Sequence, residues 1–400
     1  MTKSGTFPRI AMALVVTALV GACSSGASAS PSAAAPSAAA SAAASAAAGH
    51  QLPDSCSAAQ PVIGAMLPNT VNPYYVAMKA SIEKAATDNG FAINVAIAED
   101  SNERQLSQAQ AFIEQKVCAA YLNGVDSAPA AAVVKLFNDA GIPVFTVNVT
   151  VSQPDLDKQG GHIVQYIGAD QVSGGKIMAE EALKDLGATT TINYGIVGDP
   201  EQIPTEQRDS GWDAAMKTNP NAKSIAKVNS KVDPAVSLKV TSDLLTGHPE
   251  INLLWADTGP GTVGALQAIK AVGRQDTVKL YGFCAAGVEM TGPYVACAAQ
   301  EPAKYGQMVI ENIKTYVKDG KDVPAQILVP VKLDKGGFPP PGDLGSGRSR
   351  SAPTLVGWWP PGSTGSTWTS PTVTSPRSSA SRRPSRGRFG TSSGCTSRRI

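Results

Sequence analysis

Residues 61–90 read PVIGAMLPNTVNPYYVAMKASIEKAATDNG, and the hydrophobic pattern changes once along them. The continuous apolar run that ends at Leu67 predicts a buried strand. After a short loop, Met78 and Ile82 are one helical turn apart, and the helix that they indicate stops at Asn89 and Gly90. This strand–loop–helix unit is the building block of parallel α/β sheets.

The same unit recurs through residues 61–335, the part of the chain with sustained hydrophobic patterning. In the first half, strands are predicted at 91–97, 119–122 and 144–147, with helices at 104–115 and 128–140. In the second half, strands are predicted at 192–197, 224–228, 253–256 and 279–283, with helices at 207–217, 234–246 and 262–272. Two such series predict an α/β protein with two doubly wound parallel-sheet lobes. Ligands bind beyond the carboxyl ends of strands in such sheets, which here are the loops after Leu67, Val147, Val197, Ala256 and Phe283.

The amino-terminal region has the features of a lipoprotein export signal. Lys3 and Arg9 precede an apolar run that ends in VGAC at Cys23 and is too short to span a bilayer. We therefore predict a signal peptide with a lipobox at 1–23. Acyl chains on Cys23 would hold the exported protein at the extracytoplasmic face of the cell membrane. Residues 24–60 are rich in Ala, Ser and Pro and are predicted to be a tether.

The carboxyl-terminal residues 336–400 differ in composition from the rest of the chain. They contain nine Arg, no Lys and a single acidic residue, Asp343, whereas the whole chain carries a net charge of only +2. The central part is therefore acidic, which argues against nucleic-acid binding. We predict a disordered tail, and its abrupt onset favours a reading-frame change over a genuine basic tail that contacts phosphates or lipid headgroups. Truncation after Lys335 should leave folding and ligand binding largely unchanged.

Several motifs, in a consistent order along the chain, resemble the ribose-type (type I) periplasmic sugar-binding proteins. Asn72-Pro-Tyr-Tyr75 is similar to the Asn-Pro-aromatic-aromatic signature after the first strand of that family. Further similarities lie at 166–170, 174–176, 282–283 and 296–302. The resemblance implies the type I periplasmic-binding-protein fold, in which two lobes joined by three crossovers close by a hinge around a ligand.

The resemblance also implies an organisation and a function. The first lobe is expected to comprise 61–166 and 301–327, and the second lobe 167–300 and 328–335, with hinge segments at 166–168, 300–302 and 327–330. The implied function is that of the extracytoplasmic solute-binding subunit of an ABC importer, a monomer that delivers its ligand to an ABC permease. A receptor that reports the ligand to a membrane sensor is the alternative.

Ligand-binding residues are implied at Asn72, Tyr74, Tyr75, Asn148, Arg208, Asp257, Thr258, Cys284 and Gln300. This chain departs from the family pattern at three of these places. The pair Asn148-Val149 stands where the family has Asp-Arg. Asp257 and Thr258 stand where the family often has Asn, and Cys284 stands where it has Asp. Fewer charge-assisted hydrogen bonds are then available. We expect a small polar ligand that is uncharged or weakly cationic, best matched by a monosaccharide or polyol, with Asp257 as the partner of any positive group.

Each implied ligand residue also has a structural alternative. Asn72, Asp257 and Thr258 could cap the helices that follow them, and Tyr74 and Tyr75 could belong to the core. Arg208 could hold ligand or only structure the start of its helix.

An enzyme is the main rival class, because residues 259–264 satisfy G-x-G-x-x-G between a strand and a helix. A dinucleotide site also requires an acidic residue at the end of the next strand, and that strand ends in Phe283-Cys284. The three His have no metal-ligand spacing, and residues 61–335 contain no G-x-S-x-G motif. We expect no catalytic residues, no metal and no cofactor. A repressor of the same fold would need a DNA-binding headpiece where the signal and tether stand.

Export to an oxidising compartment permits disulfides. Cys56 lies just before the first strand and Cys118 at the start of another strand of the same lobe, so they meet at one sheet edge if those strands are neighbours. We predict a Cys56–Cys118 bond, and a Cys284–Cys297 bond between adjacent segments of the second lobe. Buried unpaired cysteines are the alternative in each case.

Overall fold

The structure, a computed structural model, describes residues 50–336, so the predicted signal peptide, the lipidated Cys23, most of the tether and the tail beyond Gly336 lie outside the described residues. Over the described range, none of the helices combines the length and apolar character needed to cross a membrane. A 3₁₀ turn (Asp54–Ser57) precedes the first strand.

The first lobe alternates strands and helices as its hydrophobic pattern predicts. In chain order its elements are β1 (Val62–Leu67), α1 (Pro73–Asp88), β2 (Ala92–Ile97), α2 (Asn102–Glu114), β3 (Ala119–Leu122), α3 (Ala130–Asp139), β4 (Val144–Val147), α4 (Gln153–Gln159) and β5 (Gln165–Ala169). The strands predicted at 119–122 and 144–147 are confirmed at the same residues.

The second lobe repeats the arrangement. It contains α5 (Gln171–Leu186), β6 (Ile192–Gly198), α6 (Ile203–Met216), β7 (Ala222–Asn229), α7 (Pro234–Gly247), β8 (Leu253–Ala256), α8 (Gly259–Ala271), β9 (Lys279–Phe283) and β10 (Tyr294–Ala299). The chain then forms α9 (Pro302–Val317) and β11 (Gln326–Val329) in the first lobe and β12 (Lys332–Asp334) in the second.

Each lobe is built on one six-stranded sheet. The strand order is β2-β1-β3-β4-β5-β11 in the first lobe, where all neighbours are parallel. It is β7-β6-β8-β9-β10-β12 in the second, where only β12 runs antiparallel to its neighbour. In both sheets the order reverses after the first strand of the lobe, which is the doubly wound topology predicted from the sequence.

The chain crosses between the lobes three times. The first crossing is at Asp170, because β5 stays in the first sheet up to Ala169 and α5 packs on α6 and β10. The second is at residues 300–301, between β10 and α9, and the third at residues 330–331, between β11 and β12. The lobe boundaries and hinge segments expected at 166–168 and 327–330 therefore fall wholly or mostly inside β5 and β11, whereas the hinge segment expected at 300–302 contains the second crossing.

Helices α5 and α6 approach each other closely because glycines stand at their contact. A Cβ atom at Gly175 would lie 1.8 Å from the backbone oxygen of Arg208, and one at Gly211 would lie 2.0 Å from the backbone oxygen of Val172. Below them, the indole of Trp212 stacks on Trp255 with ring centroids 4.7 Å apart. This packing fixes α6 on the sheet, and α6 carries Arg208 to the interlobe face.

Both predicted disulfides are present. Cys56 in the 3₁₀ turn bonds to Cys118, which immediately precedes β3, the neighbour of β1 in the sheet. Cys284 follows β9 and bonds to Cys297 in β10, its neighbour in the second sheet. The pairing of β1 with β3 and of β9 with β10 thus brings the two cysteines of each bond together.

Candidate ligand-binding cleft

A cavity of about 530 Å³ lies between the two lobes, at the carboxyl ends of their strands. The loops that follow β1, β4, β6, β8 and β9, the five singled out from the sequence, all contribute to its lining. The loops after β2, β3, β7 and β10 contribute as well. The volume suits a small ligand.

The implied ligand residues of the first lobe form one connected wall. Asn72 caps α1, since its Oδ1 accepts a hydrogen bond from the Tyr74 amide at 3.0 Å. The Tyr74 hydroxyl donates to Oδ1 of Asn148 at 3.0 Å. The rings of Tyr74 and Tyr75 meet edge to face with centroids 5.4 Å apart. Burial raises the pKa of both tyrosines, so both hydroxyls keep their protons.

Asn148 occupies an unusual backbone position at the end of β4. Its φ of 59° is in the left-handed region, which Asn adopts more readily than most other residues. Its amide donates to the carbonyl of Ile167 at 2.9 Å, and its own carbonyl accepts from the Tyr166 hydroxyl at 3.0 Å. The side chain that replaces the family's Asp is therefore held rigidly at the cleft by backbone bonds and by Tyr74.

Arg208 dominates the wall of the second lobe. Its Nε donates to Oε1 of Gln171 and its Nη1 to the backbone oxygen of Asp257, each at 2.7 Å, and its Cζ lies 3.9 Å from the ring centroid of Phe283. Burial lowers the pKa of Arg208, although the charge of Asp257 opposes this shift. An arginine remains charged under these conditions. Stacking on the buried Phe283 ring and these two hydrogen bonds fix the direction of the Arg208 guanidinium at the cleft.

Thr258, Cys284 and Gln300 also line the cleft. The hydroxyl of Thr258 caps α8 by accepting from the Gly261 amide at 3.1 Å. Cys284 is held in its disulfide. The Nε2 of Gln300 is buried and has no hydrogen-bond partner among the residues that the structure describes. Since an unsatisfied buried donor is costly, a ligand acceptor is the expected partner of Gln300.

Asp257 is the exception among the implied ligand residues, because it does not line the cleft. Its side chain is fully buried, with Oδ2 accepting from the Asp199 amide at 3.2 Å. Burial and the neighbouring Asp209 raise the pKa of Asp257 well above its ordinary value. The structure gives no support to the expectation that Asp257 pairs with a positive group of the ligand, since its carboxyl points towards the end of β6 while its carbonyl accepts from Arg208.

Sequence reasoning missed a set of charged residues and one aromatic ring at the cleft. They are Asp100, Asp126, Asp199, Glu201, Lys231, Asp233 and Phe283. Burial raises the pKa of three of the carboxyls, those of Asp100, Asp126 and Asp199. These three follow shortly after β2, β3 and β6. Their positions near the carboxyl ends of parallel strands were the signal that could have identified them.

Comparison with known proteins gives a consistent result. The family model of the periplasmic binding protein domain matches residues 63–322. The ribose import binding protein of Bacillus subtilis is 27% identical over 276 residues, which is 68% of this chain and 86% of that protein. The ribose import binding protein of Escherichia coli is 27% identical over 283 residues, 69% of this chain and 90% of that protein.

Solved structures show the same fold. A solute-binding protein from Actinobacillus succinogenes with bound D-allose has a TM-score of 0.63 and 24% identity, covering 69% of this chain and 98% of its own. One from Bacillus halodurans with bound myo-inositol has a TM-score of 0.62 and 22% identity, covering 71% of this chain and 96% of its own.

Proposed function

The chain belongs to the periplasmic binding protein domain family, and on this basis we propose that it is the extracytoplasmic solute-binding subunit of an ABC importer, with a monosaccharide or polyol as its ligand. The names of similar proteins support the proposal, since two are ribose import binding proteins and two solved structures hold D-allose and myo-inositol.

The observation that carries the proposal is the combination of an aromatic face with buried donors in one cleft. The apolar C–H face of a sugar ring can lie on the partly exposed Tyr74, while its hydroxyl oxygens accept from Arg208 and from the unsatisfied Nε2 of Gln300. A ligand without hydroxyls would leave these donors unpaired, at a cost of about 1–3 kcal/mol for each group. The site should therefore discriminate among small polar molecules by their hydroxyl pattern.

Binding is proposed to close the two lobes about the three crossovers. Lobe closure around a ligand is a common hinge motion, and it excludes water from the polar contacts. The crossings at Asp170, 300–301 and 330–331 lie on one side of both sheets, next to the edge strands β11 and β12. Gln300 is itself part of the second crossing, so a ligand bound to its side chain also contacts a segment that moves when the lobes close.

We further propose that the protein catalyses no reaction. Residues 259–264, which satisfy the dinucleotide motif, form the beginning of α8, and their amide at Gly261 is already bonded to Thr258. The next strand, β9, ends at Phe283 and is followed by a disulfide-bonded cysteine rather than an acidic residue. The glycines instead allow close approach, since a Cβ at Gly264 would lie 2.4 Å from the carbonyl oxygen of Pro234.

Lipid attachment at Cys23 and a monomeric state complete the proposal. An acyl-anchored protein would reach its permease at the membrane surface through the tether. Replacement of Cys23 by serine should release the protein from the membrane fraction, and retention of the variant there would contradict the anchor.

The function is tested by a thermal-shift screen of the full chain against monosaccharides, polyols, amino acids and small amines, because a ligand that binds the folded state raises its melting temperature. We expect stabilisation by at least one sugar or polyol. Gln300→Ala should lose most of the shift, whereas the matched control Gln307→Ala, which removes an exposed amide on α9, should retain it. Stabilisation by an amino acid or amine, with none by sugars or polyols, would overturn the ligand assignment.

A further inference from the structure

The two lobes make direct hydrogen bonds at a point distinct from the crossovers. The Ser127 amide donates to the carbonyl of Glu201 at 3.3 Å, and Nε2 of Gln202 donates to the carbonyl of Val125 at 3.0 Å. The Ile203 amide donates to Oγ of Ser127 at 2.9 Å. These three bonds join the loop after β3 to the start of α6, and we call them the interlobe latch.

The position of the latch follows from the two sheet orders. In the first sheet, β4 and β5 separate β3 from the edge strand β11, and in the second, β8, β9 and β10 separate β6 from the edge strand β12. All three crossovers adjoin those edge strands or their neighbours. The latch bonds therefore join the lobes on the side of the cleft that is far from the crossovers. A hinge rotation separates the lobes most on that side.

The Ser127 hydroxyl supplies a helix cap from the opposite lobe. The first amides of a helix lack partners within it, and the N-cap residue of α6, Gln202, makes no capping bond with its side chain. The Ile203 amide at the first position of α6 is bonded instead by Ser127, which is 3% exposed. Loss of an N-cap bond typically changes a helix equilibrium roughly fivefold.

Helix α6 connects this cap to the ligand wall, because it also carries Arg208. Ser127 itself is absent from the residues that line the cavity, whereas its neighbours Val125 and Asp126 line it. A bond from Ser127 to α6 can therefore exist only when the lobes are together, and it needs no contact with the ligand.

We infer that Ser127 is a positioning residue that sets ligand affinity by stabilising the closed arrangement of the lobes, through its cap on α6. This inference rests on the proposed solute-binding function. The apparent affinity of a ligand that binds the closed form scales with the population of that form. Each latch bond thus strengthens binding by the factor by which it shifts the open–closed equilibrium.

The latch acts against a repulsion between carboxylates at the same place. Asp126 of the first lobe faces Glu201 of the second and Asp100 of its own lobe, with Lys231 as the nearby positive group and the Asn102 amide bonded to its Oδ2 at 2.6 Å. Bringing the lobes together therefore concentrates negative charge, which the hydrogen bonds of the latch must offset.

The test compares Ser127→Ala with Ser107→Ala in the ligand-free full chain. Ser107 is an exposed serine of α2 whose hydroxyl bonds only within its own helix, so its replacement controls for the general effect of losing a serine. Amide hydrogen exchange of the first turn of α6 and the radius of gyration from solution scattering report the latch without any ligand. We expect faster exchange and a larger radius for Ser127→Ala alone, with melting temperatures close to that of the wild type.

A second measurement uses D-ribose, D-allose and myo-inositol as probes. For any of them that binds, Ser127→Ala should weaken affinity roughly fivefold, mainly by faster dissociation. Gln202→Ala, which removes the second latch bond, should weaken it in the same direction. Unchanged exchange and radius in Ser127→Ala would overturn the inference. Failure of all three probes to bind would instead count against the proposed ligand class, because the ligand-free measurements do not depend on it.

Discussion

The two disulfides are predicted to differ in their effects, since removal of one should mainly weaken ligand binding and removal of the other should mainly lower stability. Cys284 and Cys297 join the loop after β9, which lines the cleft, to β10. Cys56 and Cys118 join the segment before β1 to the start of β3, at the amino ends of strands and away from the cleft. We expect Cys284→Ser with Cys297→Ser to weaken ligand binding, and Cys56→Ser with Cys118→Ser to leave it unchanged.

The size of the two stability losses follows from the loops that the bonds close. Sequence separations of 13 and 62 residues correspond to chain-entropy contributions of about 3 and about 4 kcal/mol. The Cys56–Cys118 pair should therefore lower the melting temperature more. A loss of about 1 kcal/mol lowers the melting temperature of a domain of 150–250 residues by roughly 2–4 °C.

The assay is thermal unfolding together with calorimetric titration of the best ligand from the screen, for both double variants and the wild type. The cleft-side pair should bind at least several-fold more weakly despite its smaller stability loss, because the loop at Cys284 to Ala286 is then released. Equal affinities for the two double variants, or a larger binding loss in the Cys56–Cys118 pair, would refute the reasoning.

Three further predictions concern the cleft. Burial raises the pKa of Asp126, so its protonation favours the closed form; this contribution is present below the ordinary carboxyl pKa and is lost as the pH rises through the raised pKa. Affinity should therefore increase as the pH is lowered from neutral towards the ordinary carboxyl pKa, and Asp126→Asn should flatten the dependence, whereas an equal slope in both proteins would contradict this. Gly175→Ala should destabilise the fold by about 1–3 kcal/mol in denaturant unfolding, because α6 must shift, whereas Gly247→Ala, with open space around its Cβ, should be neutral or stabilising. Tyr74→Phe leaves the buried Asn148 side chain without its hydroxyl donor and should cost about 1–3 kcal/mol in the same measurement, while unchanged stability would show that the bond contributes nothing.

The fold was predictable because its signals are local and repeated. Each strand of the first series is a short apolar run followed by a helical pattern, and the strands at 119–122 and 144–147 begin and end where predicted. The crossovers were placed less well, since the apolar pattern of β5 gives no sign of which sheet it joins. Sheet membership depends on long-range pairing, such as Ile167 with Ile327, that no local pattern encodes.

Residues that line the cleft could be predicted from the sequence where the position of the backbone fixes the direction of the side chain. Other residues of the cleft were predicted less well. Asn72 and Thr258 cap helices that start at the cleft, so they line it whatever their side chains bind. Asp257 immediately precedes Thr258 but turns away, because the neighbouring strand offers it an amide at Asp199. Successive side chains of a β-strand point in opposite directions, so an offset of one residue at a strand end turns a side chain from the cleft towards the buried side.

The buried position of Asp257 in turn explains how Arg208 can serve a neutral ligand. Its guanidinium is held by Gln171 and by the Asp257 carbonyl, and its face lies on Phe283, so its direction is set before any ligand arrives. A pre-organised donor loses little side-chain freedom when the ligand binds. A flexible arginine would lose more freedom, and the loss would weaken its affinity for the ligand. Because these contacts are to an amide oxygen, a carbonyl and a ring, the donors left over on Arg208 need no carboxylate from the ligand and can be satisfied by hydroxyl oxygens.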